Sequence, residues 1–162
     1  MKKTIIFLLA ALLFLPAMQA RSQEKKPPPG VVEKTVIING NQDWVNTNIK
    51  LKPKDKVSIK ASGEVCFSNQ EASSCVSPNG WDGNYSVAWP DNWNNCDDPL
   101  PELNHAALIG NVGSDDFLIG KGTKFQGKNG VLYIGINDCS FTEDYYNTGQ
   151  FEVSIKVEKP KH

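Results

Sequence analysis

The chain has 162 residues, 40% of them hydrophobic and 22% charged, with a formal net charge of −1 at pH 7. That is enough apolar material for one packed domain, and the charge balance argues against a nucleic-acid binder, which is clearly basic. Four cysteines and only two histidines leave little for a zinc site, and no CxxC spacing occurs.

Residues 1–20 read as a secretory signal peptide. Lys2 and Lys3 precede an apolar run from Ile5 to Leu15, then Pro16 and small residues lead to a cut near Ala20. The apolar run is shorter than the roughly 20 residues that a spanning helix needs. Without the two lysines the charge falls to about −3. Residues 21–33 (RSQEKKPPPGVVE) hold three consecutive prolines and little to bury, the composition of a semi-rigid linker.

From residue 34 onward the pattern is that of strands, with no sustained helical period and no internal repeat. Residues 35–38 (TVII) form a first strand closed by Asn39-Gly40-Asn41, a turn signal. Residues 44–51 form a second, with Trp44, Ile49 and Leu51 expected to face the core. A turn at Pro53 leads to an alternating strand over residues 57–61. Later, residues 131–136 (VLYIGI) are β-branched, aromatic and bounded by glycines, and residues 149–157 alternate apolar and polar side chains. The polar loop between these last two strands holds Asn137, Asp138, Ser140, Thr142, Glu143, Asp144, Asn147 and Thr148. Hard cations take six to eight oxygens from such groups.

Charge is segregated. Residues 61–120 contain no Lys or Arg but nine acids: Glu64, Glu71, Asp82, Asp91, Asp97, Asp98, Glu102, Asp115 and Asp116. A bound cation relieves such repulsion, and an acidic surface offset by the lysines of residues 50–60 is the equal alternative. The same region carries an aromatic loop with Trp81, Asp82, Trp89 and Trp93 among Gly, Asn and Pro. Flat rings beside carboxylates and amides suit a sugar, which offers C–H faces and hydroxyl edges. Packing of one or two of these rings into the core is the competing reading.

Four cysteines in an exported chain imply two disulfides with three pairings open. Cys66 and Cys75 flank a short polar loop, which favours that bridge and leaves Cys96 with Cys139. Asp97 and Asp98 have the residue types of an acid–base pair, but no Gly-x-Ser-x-Gly, His-Glu-x-x-His or phosphate loop accompanies them. A binding module is expected, not an enzyme.

One longer pattern joins these pieces. Residues 107–113 (ALIGNVG), 117–120 (FLIG), 132–138 (LYIGIND) and 147–151 (NTGQF) keep the order and spacing of the PA-I-type calcium-dependent galactose-binding lectins. The resemblance implies an all-β, galactose-binding-domain-like jelly-roll sandwich over residues 34–158, a bound Ca²⁺, and galactose or a related hexose as ligand. Carried over by position, Asp138 and Asn147 resemble side-chain metal ligands and Thr142 a backbone-carbonyl ligand. Tyr146 stands where the family has Asn or Asp, so a ligand is missing unless Asp144 or Glu143 takes its place. In the family the metal ligands also touch the sugar, and the aromatic loop, here Trp81, Asp82, Trp89 and Trp93, supplies further contacts. The family's sugar-contacting His has no counterpart in register, and His105 is read as structural. The expectation is a secreted or periplasmic glycan-binding protein without a membrane span, oligomeric state open. The alternative is a structural, assembly or adhesion module that keeps the fold without a working sugar site.

Overall fold

The computed structural model describes residues 27–66, 75–81, 98–138 and 147–161. All regular structure among them is strand, arranged as two antiparallel sheets packed face to face. No helix among the described residues is long and apolar enough to cross a membrane.

The first sheet is built on the two longest strands after β1 (Val31–Asn39): β3 (Lys56–Cys66) and β9 (Thr148–Glu158). β9 lies between β1 and β3, and the far edge of β3 is shared by β4 (Cys75–Val76) and β7 (Gly122–Gln126). The second sheet runs β2 (Val45–Leu51), β8 (Gly130–Ile136), β5 (Leu108–Val112), β6 (Asp115–Leu118). Period-two alternation sets the faces. Phe151, Val153, Ile155 and Val157 of β9 point inward while the residues between them are exposed. They meet Leu132, Ile134 and Ile136 of β8 and Leu108 and Val112 of β5 across the core. Burying one such side chain stabilises the fold by about 1.5–3 kcal/mol.

Two expectations change here. β1 begins inside the segment read as linker, because Val31, Val32 and Glu33 pair with Glu158, Val157 and Lys156 of β9. Ile49 and Leu51 are buried as expected, but Trp44 is 38% exposed, on the outer face of the second sheet. Its indole lies against Gly135 of β8. β8 and β9 belong to different sheets, so residues 139–146 run from one sheet to the other.

Gly149 opens β9 at φ +77°, and a Cβ there would collide with the Glu64 carbonyl of β3. Only glycine combines that backbone with so close an approach. At the opposite end of the sandwich Asp55, 1% exposed, accepts from the Lys52 backbone N–H at 2.8 Å and pairs with Lys159 Nζ at 2.7 Å, tying β9's exit to the β2–β3 turn.

Cys66 and Cys75 form a disulfide joining β3 to the two-residue β4. So short a strand gains little from its own ladder, and the cross-link holds it. Replacing both cysteines by serine is expected to cost about 2–3 kcal/mol by the chain-entropy model, read as a lower urea midpoint at unchanged slope. An unchanged midpoint would show that the bridge adds nothing to stability. Cys96 and Cys139 lie outside the described residues.

Candidate functional site

The site forms where β8 ends. Asn137 follows the strand fully buried, and every part of it is bonded to the segment leading into β5. Its backbone N–H donates to the Ala107 carbonyl and its carbonyl accepts from Ala106 N–H, each at 2.7 Å. Its side-chain oxygen accepts from Leu100 N–H at 2.8 Å, and its amide donates to the carbonyls of Leu100 (3.0 Å) and Asn104 (3.1 Å). Asn137, one of the loop's oxygen-bearing residues, is thus a clamp and not a ligand.

That clamp carries two side chains to Asp138. Asp98 holds the Nδ1 of His105, which lies 3.0 and 3.1 Å from its two oxygens. A carboxylate accepts, so Nδ1–H donates. The ring's Nε2 is then turned to Asp138, 3.8 Å from Oδ1. The other oxygen, Oδ2, accepts from the Asn147 side-chain amide at 2.5 Å. Single donor atoms of Asp98, His105 and Asp138 lie within 4.8 Å of one another. The site is buried, with 2% of the His105 side chain and 9% of that of Asp138 exposed.

The resemblance paired Asp138 with Asn147, and the fold brings these two into contact where one follows β8 and the other precedes β9, strands of different sheets. Thr142 and Asp144 lie outside the described residues, as do Asp82, Trp89 and Trp93. Trp81 is described: it is partly buried, packs against the hydrophobic core, and donates its backbone N–H to the His105 carbonyl at 2.8 Å. Two residues of the cluster escaped the sequence. His105 was read as structural, and Asp98 was weighed only as a partner of Asp97. The one signal for them is the run of acids without Lys or Arg over residues 61–120, which does not say which acid folds back.

Asp138, Asp98 and the Asn147 amide are hard oxygen donors, and buried carboxylates in one place are stabilised by a cation. At Asp138 Oδ2 the Asn147 amide presents its N–H, so that amide would have to turn for its oxygen to reach a cation held there. The imidazole, a poorer partner for a hard ion, sits on the Oδ1 side.

The fold so defined is a two-sheet antiparallel β-sandwich. In particular, the structure is similar to the EclA N-terminal domain, described as a PllA-like lectin, with a TM-score of 0.56 and 19% sequence identity over 80% of this chain and 98% of that one. At that identity the likeness carries the fold. No protein-family model matches the sequence, and no curated protein matches it.

Proposed function

We propose that the chain is an exported carbohydrate-binding module that holds galactose or a related hexose through a calcium ion. The observation that carries this reading is the meeting of Asp138 and Asn147 at the end of a lectin-like sandwich. Asp138 and Asn147 would hold the ion with Thr142 and Asp144, and the Asp98–His105 pair fixes the Asp138 carboxylate from its other side. When bound, such an ion offers open coordination positions to vicinal hydroxyls, which orient the sugar. Trp81, Trp89, Trp93 and Asp82 would supply ring faces and hydrogen bonds. Binding without chemistry is the reading consistent with the lectin neighbour, so no enzymatic activity is assigned. Residues 1–20 would direct export, which suits the Cys66–Cys75 bridge.

A glycan array with the chain beginning at Arg21, run in millimolar calcium and again in chelator, tests this. Galactosides should be retained in calcium with a dissociation constant on the order of 10–1000 µM and lost in chelator. Failure to retain any glycan with calcium saturated would leave a module that keeps the fold and has no working sugar site.

A further inference from the structure

The outer face of the second sheet carries a set of side chains unconnected with the Asp138 cluster. Tyr133 of β8 is directly opposite Asn46 of β2 on one side and Asn111 of β5 on the other, and Asn111 is opposite Asp116 of β6. The row Asn46–Tyr133–Asn111–Asp116 therefore crosses all four strands. Side chains on one row share a face, and three interstrand spacings make it roughly 14 Å long. The row is ordered by its own bonds. Asn46 accepts from Asn48 N–H at 2.8 Å and donates to the Tyr133 hydroxyl at 3.3 Å, while Asn111 donates to Asp116 at 2.7 Å.

Trp44 stands beside this row. A Cβ on Gly135 would meet indole atoms Cε3, Cδ2 and Cε2 at 3.0, 3.1 and 3.5 Å. Three consecutive ring atoms at such similar distances put the ring fusion of the indole face-on to the strand, since an edge-on ring would bring one atom close and carry its neighbours away. Gly135 supplies the space for this, and the 38% exposure of Trp44 is exposure on the side away from the strand. Trp44, Tyr133, Asn111, Asp116 and Pro99 line an open surface hollow of about 350 Å³, comparable in volume to small-molecule sites.

The geometry points to a second glycan site here, for a neutral oligosaccharide of pyranose rings, independent of any metal. The flat indole offers area to the C–H face of one ring. The polar row offers hydroxyl, amide and carboxylate groups to the hydroxyl edge, and a sugar hydroxyl both donates and accepts. The lining has one carboxylate and no lysine or arginine. That composition disfavours phosphates, nucleotides and acidic sugars.

The test is a ¹H–¹⁵N NMR titration of the chain from Arg21 in EDTA, with methyl β-galactoside and with the β-1,4-linked tetrasaccharides of glucose and of mannose. At least one tetrasaccharide should shift the Trp44 indole N–H and the side-chain amides of Asn46 and Asn111. Trp44→Ala should weaken binding about five- to tenfold, the value of one aromatic stacking contact. Trp44→Tyr should keep most of it, and Asp138→Ala should leave it unchanged. The wild-type shift map stands by itself should Trp44→Ala fold poorly. The inference is overturned by shifts confined to other residues, by no shifts at 10 mM of any of the three probes, or by equal binding in Trp44→Ala. Binding seen only in calcium and abolished by Asp138→Ala would also overturn it while supporting the loop site. Loss of calcium binding with the EDTA titration intact would do the reverse.

Discussion

Asp138→Asn is expected to abolish calcium binding by the mature chain. The substitution keeps the shape that packs between His105 and Asn147 but removes the charge. Titration of chelator-stripped wild-type protein should give a one-site isotherm. At a hundredfold excess over its dissociation constant, calcium should add about 2.7 kcal/mol of stability, a melting-temperature rise of roughly 8–12 °C for a domain of this size. The variant should show neither heat nor shift, with its metal-free melting temperature close to that of the wild type. An undiminished shift in the variant would place the ion elsewhere. No heat and no shift in wild-type protein at millimolar calcium would remove the metal from the proposed function altogether.

Asn137→Ala should be the most damaging single change near the site. It deletes one accepted and two donated hydrogen bonds in a fully buried position. The Leu100 N–H would lose its partner, while the Leu100 carbonyl keeps the Leu103 N–H and the Asn104 carbonyl keeps the Ala107 N–H. One orphaned donor costs about 1–3 kcal/mol and each of the other two lost bonds about 1 kcal/mol, with water offsetting some of this, so a loss of about 2–4 kcal/mol is expected in urea unfolding. Amide exchange should report where the damage falls. Leu100 N–H and Leu103 N–H, the latter bonded to the Leu100 carbonyl at 2.9 Å, should lose protection before the core strands do. A loss below about 1 kcal/mol would mean that the segment carrying Asp98 and His105 is held by other contacts.

Strand identity was legible in the sequence because it is a local property. The alternation over residues 149–157 and the β-branched run at 131–136 each appear as strands, with their inward residues in the core. The pairing of Cys66 with Cys75 was legible for the same reason, since a short polar loop brings its ends together. Asp138 and Asn147 were singled out by the resemblance to the PA-I-type lectins, and the fold brings them into contact. Which strands share a sheet was not legible. Alternation fixes the face a residue takes within its strand but not the partner across it, and β8 and β9, adjacent in sequence, fall into different sheets. Trp44 shows the limit at one residue. Its size and hydrophobicity favour the core, yet its place against Gly135 follows from the pairing of β2 with β8, a register separated by almost ninety residues. His105 shows the same limit at the site. The sequence by itself determined an all-strand chain with a carboxylate–amide pair at one loop. Only the tertiary structure decided that Asp98 and His105 complete that cluster, because the buried amide of Asn137, a long-range contact with no local signature, carries their segment there.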